Sequence, residues 1–332
     1  MAETPEERQR RRRRKRLVRG LLVGSAALGI PAIFNALVAR RAKRLSAPRW
    51  GESRRWESGE GTVRYQELGD GPRPVVLVHS IGPGHSALQW REVAERLAPH
   101  HRVYALDLLG WGESDHPQIT YDSHLSIDLL TGFLDQVVGR QTTVVAAGLS
   151  AAYTLQVAVD HPEMIGALGL VVPLGIDLHG DEPDLKDAMV HRLLRLPILG
   201  TSALNVFTSR AGIAAHLRRE IFADGDSVDD DVIAEHYRAS HVPGAQAPLA
   251  AYLSGYLNHR VDEILPRIEQ PVWIAWGQEA KSPSLATADL WLRHLGDRAE
   301  LEVFEQAALQ PHCERPDAFA EALEDFLTRN AG

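Results

Sequence analysis

The sequence is poor in cysteine and lacks two common ligand-binding patterns. Cys313 is the only cysteine, which excludes an intramolecular disulfide but does not identify the cellular compartment. No G-x-x-x-x-G-K-[ST] segment occurs, and the histidines follow no spacing that is typical of a metal site. We therefore expect no phosphate-binding loop, no bound metal and no cofactor.

Charge is distributed unevenly along the chain. Residues 1–49 contain 14 Lys and Arg against three Asp and Glu, a net charge of +11. Since the whole chain carries −8, residues 50–332 carry −19. The negative net charge of residues 50–332 argues against nucleic acid as a partner.

The amino terminus alternates basic, uncharged and basic segments. Residues 20–39 contain no charged side chain, and basic clusters flank them at Arg8–Arg19 and Arg40–Arg44. Twenty residues in a helix span ~30 Å, about the thickness of the hydrocarbon core of a bilayer. The pattern predicts a membrane-associated protein that contacts membrane lipid through residues 8–44. The larger amino-terminal cluster favours that end on the inner side.

Three other interpretations of this segment stay open. Its glycines and its proline dilute the hydropathy, so the helix could instead lie on an anionic bilayer surface. The segment Leu17–Gly20, after paired basic residues, loosely resembles a twin-arginine leader, although no clear cleavage site follows it. A disordered basic tail is the remaining interpretation.

From Trp50 onward, short apolar runs alternate with longer helical patterns, which is typical of an α/β fold with a mostly parallel sheet flanked by helices. Several predicted strands are continuously apolar, as expected of strands covered on both faces. The predicted strands are Gly61–Gln66, Val75–His79, Val103–Leu106, Thr143–Ala147, Leu168–Val172, Val272–Trp276 and Leu301–Phe304. The predicted helices of the core are Leu88–Leu97, His124–Val138, Ala151–Asp160 and Pro316–Arg329.

The strand pattern stops between residues 176 and 264, where only helical patterns remain. We interpret this stretch as a helical lid inserted into a core made of residues 50–175 and 265–332, and residues 1–49 as a basic tail with a membrane anchor. The insertion falls between two strands of a parallel sheet. It should therefore lie over their carboxyl ends, where such sheets bind ligands.

Four motifs occur in an order that is informative as a set. His79-Ser80-Ile81-Gly82 follows a strand, Asp107–Ser114 reads D-x-x-G-x-G-x-S, Gly148–Ala152 reads as a nucleophile elbow at Ser150, and Asp160–Glu163 ends the next helix. Across residues 60–330 the chain resembles the α/β-hydrolase superfamily, in its form with a helical lid. The resemblance implies Ser150 as the nucleophile and the amides of Ile81 and Ala151 as the oxyanion hole.

The other two members of the expected catalytic triad are replaced. A pattern similar to W-G-x-x-D after the strand ending at Trp276 has Ala280 at the acid position. A pattern similar to G-x-G-H-x-P-H-x-E-x-P has Leu309 at the base position, and the flanking Pro311-His312-Cys313-Glu314 fixes that register. A serine hydroxyl without a base is a poor nucleophile near neutral pH. The triad is therefore predicted to be degenerate.

Two other residues are candidate replacements for the missing base and acid. His312 lies three residues beyond the base position and is a candidate displaced base. Asp177 follows an earlier strand and is a candidate alternative acid. Two functions remain open: a membrane-associated hydrolase of small apolar esters or acyl compounds through Ser150, and a non-catalytic pseudohydrolase that binds a small apolar ligand or a protein partner.

Overall fold

The computed structural model describes residues 28–176 and 183–330. Its strands are β1 (Glu52–Glu57), β2 (Thr62–Leu68), β3 (Arg73–Val78), β4 (His101–Leu106), β5 (Thr142–Ala147), β6 (Ile165–Val171), β7 (Val272–Gly277) and β8 (Ala299–Phe304). In this part of the chain they form one sheet of eight strands in the order β1-β2-β4-β3-β5-β6-β7-β8. The pairs β1–β2 and β2–β4 are antiparallel, and the others are parallel. The predicted α/β fold is confirmed.

Helices cover the sheet and build a separate group between β6 and β7. They are α1 (28–42), α2 (Arg91–Leu97), α3 (Ser123–Phe133), α4 (Leu149–Asp160), α5 (Leu185–Leu194), α6 (Leu199–Phe207), α7 (Arg210–His216), α8 (Asp230–Ala239), α9 (Gln246–Leu253), α10 (Ala288–Leu295), α11 (Pro311–Glu314) and α12 (Pro316–Arg329). Strand β7 is buried along its whole length, and β3 and β5 nearly so, because helices pack on both faces of the sheet.

The seven predicted strands correspond to β2–β8, with ends shifted by at most three residues. Strand β1 was not predicted because most of its side chains are charged and exposed. It pairs with β2 at the edge of the sheet, and its Trp56 packs against the core.

Helices α5–α9 form a helical insert between β6 and β7, described here over residues 183–264. Its inner side chains make a small core of their own, which Leu309 also contacts: Ile213, Leu217, Ile221, Val228, Ile233 and Tyr237. The domain boundaries and the role of the insert as a lid stay predictions.

Helix α1 covers the carboxyl-terminal part of the predicted membrane segment. Residues 8–27, with the larger basic cluster, lie outside the described residues. In residues 28–176 and 183–330, no helix combines the length and the hydropathy that a membrane span requires. The prediction of a membrane anchor is therefore neither confirmed nor contradicted by the described residues.

Candidate functional site

The sharp turn from β5 into α4 is made by Gly148. Its backbone angles are φ 57° and ψ −125°, in a region that glycine enters easily and other residues rarely. In a nucleophile elbow, the nucleophile itself occupies this strained turn. A Cβ added to Gly148 would lie 2.3 Å from the Ser80 hydroxyl oxygen. The Ser80 hydroxyl, from the loop after β3, therefore occupies the space that a side chain at Gly148 would enter.

Ser150 lies two residues beyond this turn, which corrects the predicted position of the nucleophile. It occupies the first turn of α4, is fully buried, and donates its hydroxyl proton to the carbonyl oxygen of His79 at 2.6 Å. The Ala151 amide donates to the carbonyl oxygen of Gly148 at 3.3 Å, and its role as an oxyanion donor stays a prediction. The sequence favours Ser150 as the apex because serine, unlike glycine, has a side chain that can act as a nucleophile.

The loop after β3 is fixed by His79. Its Nδ1 donates to the carbonyl oxygen of Ser80 at 2.6 Å, and its Nε2 accepts the Leu108 amide at 3.1 Å. Burial lowers the pKa of His79 to about 4, so the ring is neutral and holds the loop. Ser80 is only partly buried, whereas Ile81 packs into the core. The amide of Ile81 stays a predicted oxyanion donor.

The acid and base positions lie on two loops that are hydrogen-bonded to each other. Ala280 is almost buried after β7, and the neighbouring carboxylate of Glu279 accepts the Ala307 amide at 3.0 Å. A Cβ on Gly277 would lie 2.1 Å from the carbonyl oxygen of Ala308, which shows how closely the loops approach. Leu309 packs between the main core and the core of the insert. The structure therefore brings the loops of the two replaced positions together, and both positions hold apolar side chains.

The insert is hydrogen-bonded to both of these loops. The Leu309 amide donates to the carbonyl oxygen of Ile221 at 3.0 Å, and the Lys281 ammonium donates to the carbonyl oxygen of Arg219 at 2.7 Å. The Glu314 carboxylate accepts the Ala308 amide at 2.7 Å and the Ala223 amide at 2.6 Å. Residues 217–223 are thus tied down beside the acid and base positions.

A buried arginine attaches the other side of the insert. Arg238 on α8 forms ion pairs with Glu235 on the same helix and with Glu113 of the turn after β4. That turn is held by Asp107, whose carboxylate accepts the amides of Ala87 at 2.6 Å and Glu113 at 2.9 Å. Burial raises the pKa of Asp107 to about 6. Arg238 was not identified from the sequence, because an isolated charge in a helical pattern looks like an ordinary surface residue. Glu314 was named only as part of the motif that fixes the register of the base loop.

His312 does not take the place of the missing base. Its ring is fully buried and stacks on Trp90 with 4.1 Å between ring centroids. Neither ring nitrogen has a partner in the described residues, and burial lowers the pKa to about 3. The other candidate, Asp177, lies outside the described residues. Ser150 and His312 are therefore held by separate contacts, to His79 and to Trp90.

Replacing His312 with phenylalanine should make the protein less sensitive to acid. Unfolded histidine binds a proton below about pH 6.5, whereas folded His312 stays neutral down to about pH 3, so the folded state loses stability as pH falls through that window. The free energy of unfolding should drop between pH 7 and pH 5 by about 2 kcal/mol less in His312→Phe than in the wild type. Urea denaturation at both pH values measures this difference. Parallel pH profiles for the two proteins would contradict it.

A cavity of about 920 Å³ lies between the insert and the core, beside the base position. Its walls come from residues 84–92, residues 222–236 of the insert and residues 306–315. Three lining side chains carry buried polar atoms with no partner in the described residues: His85, Gln89 and His312. His85 also makes an edge contact with His236 at 5.8 Å between ring centroids. Exposed charged side chains such as Arg91 and Asp231 also line the cavity, so it can offer hydrogen bonds to a ligand. In the described residues, no group of His, Cys, Asp and Glu has the arrangement of a metal site.

The mostly parallel sheet, the sharp turn after β5 and the helical insert between β6 and β7 define the class as an α/β-hydrolase fold. Residues 75–322 match the alpha/beta hydrolase family, and the chain belongs to that family.

Relatives extend this likeness over most of the chain. The 2-hydroxy-6-oxo-6-(2'-aminophenyl)hexa-2,4-dienoic acid hydrolase of Metapseudomonas resinovorans is 29% identical over 287 residues, which cover 82% of this chain and 90% of the relative. A solved serine hydrolase involved in carbazole degradation has a TM-score of 0.68 at 25% identity, covering 83% of this chain and 98% of its own. A solved bacterial membrane phospholipase A has a TM-score of 0.67 at 21% identity and covers 96% of this chain and 99% of its own. The coverage of the last match is larger than residues 50–332 alone would give.

Proposed function

We propose that this protein is a membrane-attached, non-catalytic member of the alpha/beta hydrolase family that binds a small ligand between its insert and its core. One observation carries the proposal: glycine occupies the apex of the elbow turn, and the Ser80 hydroxyl fills the space where a nucleophile would project. With glycine there, the turn itself supplies no oxygen to attack a substrate.

The surroundings of Ser150 support the same conclusion. Its proton is donated to a backbone carbonyl oxygen, which cannot act as a general base. The base and acid positions hold Leu309 and Ala280, and loss of the base alone costs a serine triad on the order of a million-fold in turnover. Apolar residues at both positions suit a site that no longer hosts an ion pair.

The ligand of this proposal is a small molecule with both an apolar part and hydrogen-bonding groups. The cavity beside Leu309 supplies apolar wall from Leu88 and Phe222. Exposed charged side chains of the same lining, Arg91 and Asp231, supply the polar contacts.

Replacing Ser150 with alanine should leave any hydrolysis of an activated ester unchanged. The substitution removes only the hydrogen bond to His79, so the free energy of unfolding should fall by about 1 kcal/mol. Turnover of p-nitrophenyl butyrate and labelling by a fluorophosphonate probe measure the first expectation, and thermal unfolding measures the second. Stoichiometric labelling of Ser150 in the wild type, lost in Ser150→Ala, would refute the proposal.

Hydrolysis is the second candidate function, and two observations favour it. The curated relative described above is named as a hydrolase of a 2-hydroxy-6-oxo-dienoic acid. The Ser80 hydroxyl is only partly buried and lies at the elbow turn. The test is turnover of such a dienoate by the wild type and by Ser80→Ala. Activity that Ser80→Ala abolishes and Ser150→Ala preserves would establish this candidate and overturn the non-catalytic proposal.

Membrane attachment is proposed through residues 8–44. The basic, uncharged, basic order of these residues supports it, as do the exposed side chains of Ile30, Ile33 and Leu37 on α1. Exposed apolar side chains on a helix favour association with another apolar surface, and a bilayer supplies such a surface. Flotation of the full chain with vesicles tests it, with a chain that begins at Trp50 as the comparison.

A further inference from the structure

Helix α1 is fixed against the insert by a polar contact. The Asn35 side chain donates to the carbonyl oxygen of Ile198 at 2.9 Å, and its own carbonyl oxygen accepts from Ser202 at 2.9 Å and from Asn205 at 3.0 Å. About two turns beyond Asn35, at the end of the helix, Ala42 is buried in the core of the insert. The face of α1 that points away from these contacts therefore has a defined position beside α6.

Exposed apolar side chains concentrate on α1 and on the first two helices of the insert. Twelve of the fourteen large exposed apolar residues in the described part of the chain belong to this group: Leu28, Ile30, Ile33, Leu37, Leu185, Met189, Val190, Leu193, Leu196, Leu199, Val206 and Phe207. We call this group the apolar platform. Soluble monomers rarely leave so many large apolar side chains together in water, and such a surface is typical of a binding face.

The charges around the apolar platform are basic, in contrast to the rest of the protein. Residues 28–49 contain five Lys and Arg and no acidic residue, and residues 185–210 contain four against one. The nine Lys and Arg of residues 1–27 precede the amino end of α1. Residues 50–332 as a whole carry −19, so an anionic surface would attract the platform and repel the opposite side.

We propose that α1, α5 and α6 together rest on an anionic lipid bilayer, with the apolar platform buried in its interfacial layer. This inference rests on the proposed membrane attachment and extends it to the insert. A bilayer fits better than a second copy of this chain, because a self-contact would bring the basic borders of both copies together. The insert is thereby held at the membrane surface.

The test uses the full chain with one reporter cysteine at a time. In a Cys313→Ser background, Phe207→Cys or Met189→Cys carries an environment-sensitive fluorophore on the platform, and Val303→Cys carries it on β8. Val303 is a matched control, since it is 37% exposed against 44% for Phe207. Vesicles contain either phosphatidylcholine alone or an equal mixture of phosphatidylcholine and phosphatidylglycerol.

On the anionic vesicles, quenching by neutral acrylamide should fall about threefold for the two platform reporters and stay unchanged for the reporter on β8. Phe207→Glu should weaken flotation with these vesicles about tenfold, because a buried phenylalanine contributes roughly 1.5–3 kcal/mol and each 1.4 kcal/mol is tenfold. Val303→Glu should float like the wild type.

The possible failures are distinguishable. If the chain floats but the platform reporters stay as accessible to acrylamide as the reporter on β8, the amino terminus alone attaches the protein, and this inference is wrong while membrane attachment stands. If the chain does not float, both are wrong. Shielding of the platform reporters without vesicles would identify a second copy as the occupant and overturn the inference.

Discussion

Replacing Glu314 with alanine should lower the free energy of unfolding by about 2–6 kcal/mol and loosen residues 217–223 from the core. Its carboxylate accepts one backbone amide from the base loop and one from the insert, at Ala308 and Ala223. Alanine would leave both amides without an acceptor in a partly buried site, at about 1–3 kcal/mol each. Urea denaturation measures the loss of stability. Hydrogen exchange of the amides near Ile221 measures the loosening.

Two control variants separate this contact from a general effect of losing a carboxylate. Glu321 is exposed on α12, so Glu321→Ala should stay within about 0.5 kcal/mol of the wild type. Glu314→Gln keeps one acceptor oxygen and should give an intermediate loss. If Glu314→Ala destabilises the protein but leaves exchange at Ile221 unchanged, the carboxylate holds only the base loop and does not tie down the insert.

The core of the fold could be predicted because burial leaves a direct pattern in the sequence. Strands β3, β5 and β7 are covered on both faces, so they appear as continuous apolar runs. The exposed edge strand β1 has no such pattern, since its pairing with β2 depends on backbone hydrogen bonds that any side chains permit. Its charged residues therefore carried no signal.

The sequence predicted the loops that form the candidate site, but it placed the apex of the elbow at a different residue from the structure. The motif around Pro311 fixed the base loop, and Glu314, the acidic residue of that motif, proves to bind two backbone amides across it. The sequence predicts the apex of the elbow at Ser150, two residues beyond Gly148, because serine has a nucleophilic side chain and glycine has none. A better signal was present: the apolar run ends at Ala147, and a glycine follows at once, where a sharp turn requires positive φ.

The contacts of the insert have no comparable signal in the sequence. Leu309 and Ile221 are joined through backbone atoms, and Asn35 finds its partners more than 160 residues away. Such contacts depend on the packing of whole helices and follow no local period. The same holds for the apolar platform, because exposure depends on which helix faces the packing leaves uncovered.

Restoring three family residues should create a reactive serine at the turn and not at Ser150. The variant combines Gly148→Ser, Ala280→Asp and Leu309→His with Ser80→Gly, which removes the hydroxyl that lies 2.3 Å from the new Cβ. Without Ser80→Gly, Gly148→Ser should be strongly destabilised by this contact and by its positive φ. A fluorophosphonate probe should label residue 148 of the combined variant, as located by mass spectrometry.

The contribution of the new base is the measurable part of this prediction. General base catalysis typically supplies 10²–10⁴-fold, so the combined variant should hydrolyse p-nitrophenyl acetate about 10²-fold faster than the same variant with Leu309 retained. Adding Ser150→Ala should change neither labelling nor rate, because the Ser150 hydroxyl is buried and donates to the carbonyl oxygen of His79. Labelling at Ser150 in place of residue 148 would mean that the apex of the elbow has been assigned to the wrong residue. In that case the loss of the nucleophile, on which the non-catalytic proposal depends, would not hold.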